Sequence, residues 1–91
     1  MREYKVTWFV CAFDKKSSFV SWEIPISEDS AWKIAEYIDD IDPYDSTLAL
    51  PYDLEGEALG EAEELAGFER EDHLDYELNS HIDHRAYRKY S

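Results

Sequence analysis

Two neighbouring stretches near the N-terminus alternate apolar and polar side chains, and this period of two constrains the fold more than any other feature. The even-numbered residues of 3–13 share one face of an extended chain: Tyr4, Val6, Trp8, Val10 and Ala12. Residues 18–26 repeat the pattern with Val20, Trp22 and Ile24. The polar connection at 14–17 predicts that the two strands form a hairpin. The first strand is apolar on its other face too, so we predict that it is central.

Two helices are predicted from apolar spacing and end signals. Ser27 is suited to cap a helix over residues 28–39, whose inward stripe is Ala31, Ile34, Ala35 and Ile38. Asp53 is suited to cap a second helix over residues 54–66, which Gly67 would end. Its predicted inward residues are Leu54, Ala58, Ala62, Leu65 and Ala66.

The C-terminal third of the chain permits two interpretations. Residues 73–78 alternate Leu74, Tyr76 and Leu78 on one side, as a third strand would, but a helix through 72–89 also fits the spacing. We expect the basic residues 81–91 to form a frayed tail after a single domain over residues 1–80.

The predicted architecture is α+β. It consists of a three-stranded antiparallel sheet in the order ββααβ, with two helices packed on one face. The opposite face would leave Phe9, Phe13 and Phe19 partly exposed. Such a face could support a homodimer or form part of an interface with another protein.

The charge of the chain is concentrated in its middle. Of 91 residues, 22 are acidic and nine are Lys or Arg, for a formal charge of −13. The 36 residues between Lys33 and Arg70 contain twelve acids and no Lys or Arg. The predicted second helix also contains Gly56 and Gly60, and like charges at Glu57 and Glu61. Because these features oppose helix formation, we interpret the acidic block as a functional surface.

Composition excludes several classes of function and location. A chain this acidic is unsuited to bind nucleic acid directly or to approach an anionic membrane surface. The single cysteine, Cys11, cannot form an internal disulfide, and no apolar run is long enough to span a bilayer. The N-terminus lacks the pattern of a signal peptide. We therefore expect a cytoplasmic protein.

No motif in the chain indicates catalysis. There is no Gly-rich phosphate loop, no nucleophile elbow and no zinc-binding His-Glu-x-x-His helix. Cys11 has no neighbouring base and is predicted to be a buried hydrophobe. His81 and His84 are too few for structural zinc, and the acidic run at 40–45 lacks the glycine and terminal glutamate of a calcium loop. We expect no enzymatic activity, no cofactor and no bound metal.

The acidic block is predicted to bind a protein rich in Lys and Arg. Tyrosines interleave with its carboxylates, and such rings supply stiff contact area while the acids steer encounter. The ring of Tyr37 could pack in the core or face outward. The predicted partner-binding residues are Asp39, Asp40, Asp42, Tyr44, Asp45, Tyr52, Glu57, Glu61 and Glu64.

Three short segments resemble small bacterial immunity proteins, the ones paired with polymorphic or contact-dependent growth-inhibition toxins. They are residues 12–15 (AFDK), residues 23–27 (EIPIS) and residues 42–45 (DPYD). The resemblance covers about residues 4–50 and is thin afterwards, apart from residues 76–78. It implies a non-enzymatic inhibitor that binds a cognate toxin, commonly a nuclease, and covers its active site. The partner-binding residues above come from the charge pattern and not from this resemblance.

The expected mechanism is electrostatic occlusion of a basic cleft that would otherwise hold nucleic acid. Two alternatives remain open at this point. The chain could be a phage or plasmid DNA mimic that blocks a restriction or CRISPR nuclease, or a small acidic regulatory protein. An enzyme would require two carboxylates with raised pKa values converging in one pocket.

Overall fold

The computed structural model describes residues 5–45, 48 and 51–83, which form an antiparallel sheet with two helices on one face. The elements are β1 (Lys5–Asp14), β2 (Val20–Ile26), α1 (Glu28–Ala35), β3 (Tyr52–Leu54), α2 (Gly56–Ala66) and β4 (Leu74–Asp83). The strand order is β2-β1-β4-β3. The α+β class is confirmed, but the sheet has four strands where we predicted three.

The predicted β1–β2 hairpin is confirmed, and its turn is held by a side chain. The carboxylate of Asp14 accepts hydrogen bonds from the amides of Lys16 and Ser17 at 2.8 and 3.1 Å. These two bonds, that of Ser17 foremost, lower the pKa of Asp14. Ser18 then takes a positive φ of 64° to reverse the chain.

Helix α1 begins where predicted and ends earlier. The hydroxyl oxygen of Ser27 accepts the amide of Ser30 at 3.1 Å, as an N-cap does. The helix ends at Ala35, and the amides of Tyr37 and Ile38 donate to carbonyls only three residues back, both at 3.0 Å. The predicted end at residue 39 is therefore wrong. The acids that follow would oppose the negative end of the helix dipole, and they lie outside the helix.

Strand β3 occupies the place where we predicted the start of the second helix. Tyr52 pairs with Leu78 and Leu54 with Tyr76, so this short segment forms an edge of the sheet next to β4. The predicted cap at Asp53 is wrong, because α2 starts at Gly56 after Glu55, whose side chain makes no capping bond. Alternation explains the strand: the side chains on either side of Asp53 are buried in the core and Asp53 is exposed.

Strand β4 answers the question left open for residues 72–80: this segment is a strand over Leu74–Asp83 and not a helix. It lies between β1 and β3 and pairs with β1 along ten residues, from Lys5 opposite Asp83 to Asp14 opposite Leu74. The strand includes residues 81–83, which we had placed in the tail. The rest of the predicted tail, residues 84–91, lies outside the described residues.

The two faces of the sheet differ in what covers them. Most even-numbered strand residues point toward the helices and build the core with Ala31, Ile34, Ala58, Leu59 and Ala62. A bulge in β2 instead pairs Val20 with Phe13 on the opposite face. Trp22, Phe68 and Tyr76 form an aromatic cluster at one end, with ring centroids 4.9 to 5.8 Å apart. Odd-numbered strand residues between Thr7 and His81 form the opposite face, here called the open face, because neither helix packs on it. No helix in the described part of the chain is long and apolar enough to cross a membrane.

Candidate functional site

An acidic groove lies where the end of α1, strand β3 and the start of α2 meet. Its volume is about 710 Å³, and it is lined by residues 37–40 and 42, 51–53 and 55–58. The fold brings these three segments together because β3 returns the chain to the sheet edge and α2 then begins after a single residue.

Six carboxylates line this acidic groove, and none of its lining residues is Lys, Arg or His: Asp39, Asp40, Asp42, Asp53, Glu55 and Glu57. The positive N-terminal end of α2 favours the acids at 55 and 57. The acids at 39 and 40 follow the C-terminal end of α1, where the dipole disfavours them. A surface of this charge attracts cations and repels nucleic acid.

Tyr52 anchors the loop that forms one wall of the acidic groove. Its hydroxyl donates to the Asp45 carboxylate at 2.7 Å and accepts the Asp42 amide at 3.3 Å. Burial, followed by the bond to Asp45, raises the pKa of Tyr52. The residue is only 8% exposed, so our expectation of an exposed contact ring is wrong for Tyr52. Its ring holds the loop in place.

Tyr37 follows α1 and lies near α2 at the edge of the acidic groove. The nearby negative charge of Glu61 in α2 is the main reason that the pKa of Tyr37 is raised. The side chain is 45% exposed, which answers the question of its placement: it faces outward. Glu61 therefore lies close to Tyr37, just outside the lining of the groove.

The structure brings five of the nine predicted partner-binding residues together in the acidic groove. Asp39, Asp40, Asp42, Tyr52 and Glu57 line the acidic groove. Four others lie outside its lining: Tyr44, Asp45, Glu61 and Glu64. Among these, the ring of Tyr44 is 94% exposed on the turn held by Asp42, whose carboxylate accepts the Tyr44 amide at 2.9 Å. This turn presents an aromatic ring beside the carboxylates.

Our sequence prediction missed two residues of the acidic groove, Asp53 and Glu55. Asp53 had been assigned to a helix cap, and Glu55 to the helix itself. The alternation of Tyr52, Asp53 and Leu54 carries the signal of an exposed acid between two buried residues. That alternation spans only three residues, and the start of a helix favours the same residue types. The sequence pattern is therefore too short to favour a strand over a helix here.

One acid of α2 is paired with a cation from just beyond the acidic block. Arg70 donates from Nε and from Nη2 to Oε1 of Glu63 at 3.0 and 2.6 Å, and its amide donates to Oε2 at 2.9 Å. The hydrogen bonds from the guanidinium are the main reason that the pKa of Glu63 is lowered. Glu63 therefore stabilises the connection from α2 to β4 and is not a free part of the acidic surface.

The candidate groups for reactive chemistry are few among the described residues. Cys11 is 2% exposed, which confirms it as a buried residue, and burial raises the pKa of its thiol. No group of three His, Cys, Asp or Glu side chains in this part of the chain is placed to hold a metal ion. The acidic groove therefore offers a dense field of negative charge next to a loop that Tyr52 anchors at Asp42 and Asp45.

Comparisons with known proteins add a family but no activity. The family model of a domain of unknown function, DUF7683, matches residues 7–79, which is most of the chain. No curated protein and no solved structure shows significant similarity to the chain. The match spans β1 to β4, so it includes every element that forms the acidic groove.

Proposed function

The chain belongs to the DUF7683 family, and we propose that it is a cytoplasmic, non-enzymatic immunity protein. In this proposal it binds a cognate toxin, a basic nuclease, and covers the surface that holds the nucleic acid. The acidic groove carries the proposal, because six carboxylates line one depression without a single cationic neighbour in its lining. Acids that repel one another in this way do not help folding and are suited to a cationic partner.

The proposed mechanism assigns separate tasks to the carboxylates and to the exposed ring. The acids at the end of α1 attract Lys and Arg side chains of the toxin and accelerate encounter. The exposed ring of Tyr44 lies on the same loop and supplies contact area that slows dissociation. Tyr52 holds this loop in one conformation through Asp45, which limits the entropy lost on binding.

The test is capture of a partner with the full chain and with two charge variants. The groove variant carries Asp39→Asn, Asp40→Asn and Asp42→Asn; asparagine keeps the shape of each side chain and the acceptor for the Tyr44 amide. The control variant carries Glu69→Gln, Glu71→Gln and Asp72→Asn, which removes as much charge from residues that do not line the acidic groove.

We expect the native chain and the control variant to capture one nuclease, identified by mass spectrometry, and to inhibit its cleavage of nucleic acid. The groove variant should lose both properties. The association rate with that nuclease should fall by about tenfold or more as the salt concentration rises from 50 to 500 mM, with little change in dissociation. Equal capture and inhibition by both variants would refute the proposal. Capture of a restriction or CRISPR complex would instead assign a DNA-mimic function.

A further inference from the structure

We propose that the open face of the sheet is a second contact surface for the same basic protein partner, where it receives cationic side chains next to apolar ones. This inference rests on the proposed function and extends it from one surface to two. The face is formed by the odd-numbered residues of all four strands, and both helices pack on the other side.

An apolar strip runs along the centre of the open face. Phe9 and Phe13 are half-buried on the central strand β1, with Cys11 sealed between them at 2% exposure. The ring of Phe9 meets the imidazole of His81 edge-on, with centroids 5.2 Å apart. Aromatic rings on a sheet face that neither α1 nor α2 covers provide the apolar contact that an interface needs at its centre.

Carboxylates border this strip on both sides. Glu23 of β2 and Glu77 of β4 lie opposite Cys11, and Asp53 of β3 lies opposite Glu77, so one row across the sheet contains three acids. Like charges directly opposite each other destabilise a sheet. Between Thr7 and His81, the open face contains no Lys or Arg, and the imidazole of His81 lies with Nε2 3.9 Å from Oε2 of Glu23. The acidic border therefore selects a cationic occupant, and the phenylalanines add favourable contact with a guanidinium or ammonium group.

The open face and the acidic groove are continuous around strand β3. A second depression, of about 460 Å³, lies at the edge of the open face next to Phe13, Asp75 and Glu77. Asp53 and Glu55 line both this depression and the acidic groove. A partner bound in the acidic groove can thus extend across β3, which has only three residues, onto the open face. It would contact carboxylates along the whole path.

The same charges argue against a second copy of this chain as the occupant. A two-fold interface brings the same patch of both copies together, so the acid row would face itself. With a formal charge of −13 on each chain, this contact would add repulsion without supplying any cation.

The test uses two synthetic hexapeptides of equal charge, one alternating arginine with tryptophan and the other alternating arginine with serine. Each is titrated into the full ¹⁵N-labelled chain, and the amide shifts are followed by NMR. We expect both peptides to shift amides of the acidic groove, and only the tryptophan peptide to shift amides of β1 and β4 around Phe9 and Phe13. Its affinity should be about tenfold higher, as apolar contact adds to charge.

Substitutions separate this inference from the proposed function. Glu23→Gln with Glu77→Gln should weaken the tryptophan peptide severalfold and leave the serine peptide unchanged, whereas the groove variant should weaken both. These changes are nearly isosteric, and an unchanged melting temperature verifies the fold. Shifts confined to the groove with both peptides would overturn the second surface and leave the first intact. Light scattering could instead reveal a concentration-dependent dimer, and NMR could show that this dimer protects the β1 amides. That result would overturn the proposed second surface in favour of a second copy of the chain.

Discussion

At the scale of single residues, Tyr52 connects the hydrophobic core to the acidic groove. Its ring belongs to the core, while its hydroxyl holds two polar groups of the loop above it. A hydrogen bond to a carboxylate in a partly buried position is stronger than one between neutral groups, so the hydroxyl contributes to stability as well as to the shape of the groove.

Tyr52→Phe should therefore destabilise the protein by about 1–2 kcal/mol, because the hydrogen bond from the Tyr52 hydroxyl to the Asp45 carboxylate is lost. The measurement is the free energy of unfolding from urea denaturation. The matched control is Tyr44→Phe, since the Tyr44 ring is exposed; its effect should stay within about 0.5 kcal/mol. Equal effects of the two substitutions would contradict the anchoring role of Tyr52.

The Glu63–Arg70 pair makes stability depend on pH in a defined direction. The pKa of Glu63 is lowered in the folded chain, so the pair stabilises the protein above the unfolded pKa of glutamate, about 4.3. This contribution is lost as the pH falls through the lower, folded pKa. The native chain should be more stable than Glu63→Gln at pH 7, and the difference should shrink below about pH 4. Urea denaturation of both proteins from pH 7 to pH 3 checks this, and a difference that grows on acidification would contradict it.

At the scale of elements, one glycine within α2 and the glycine that ends it differ in the backbone conformation they require. Gly67 ends the helix with φ of 75° and ψ of 48°, and its amide donates to the Glu63 carbonyl at 2.9 Å. Gly60 lies within the helix, where an added Cβ would come only within ordinary contact of the Arg70 guanidinium, at 3.8 Å. The same substitution at these two positions should therefore act in opposite directions.

We expect Gly67→Ala to destabilise the protein by about 1 kcal/mol, because alanine is strained in the left-handed conformation. Gly60→Ala should stabilise it by up to about 1 kcal/mol through helix propensity. Melting temperatures from circular dichroism measure both effects. Destabilisation by Gly60→Ala would mean that the contact with Arg70 is tighter than the structure has it.

At the scale of the whole molecule, charge is distributed for recognition at a cost to stability. The acids at 39, 40 and 42 lie just beyond the C-terminal end of α1 and line a groove that contains no cation in its lining. Their mutual repulsion and the helix dipole both oppose the folded state.

The groove variant, in which Asp39, Asp40 and Asp42 become asparagine, should be more stable than the native chain by about 1 kcal/mol at 20 mM salt. The gain should be much smaller at 500 mM salt, where the Debye length is only a few Å. Urea denaturation at the two salt concentrations measures this, with Glu69→Gln, Glu71→Gln and Asp72→Asn as the charge-matched control. A groove variant less stable than the native chain at low salt would mean that these acids serve folding.

Features that repeat along the chain were predictable because their physical cause is local. The β1–β2 hairpin, the start of α1 at Ser27 and the end of α2 at Gly67 each follow from alternation, capping or conformational freedom within a few neighbouring residues. The acidic block can likewise be identified without a structure, because it depends only on the order of residues along the chain.

Tertiary structure alone decided the features that depend on distant partners. Strand β3 has only two inward side chains, too few for a periodic signal, and it exists because β4 provides a pairing edge. Burial of Tyr52 beneath its own loop and the bonding of Glu63 by Arg70 likewise require segments that only folding brings together. The order of residues thus determined which charges the molecule carries, and packing determined which of them line one groove, because electrostatic contact depends on distance in space and not along the chain.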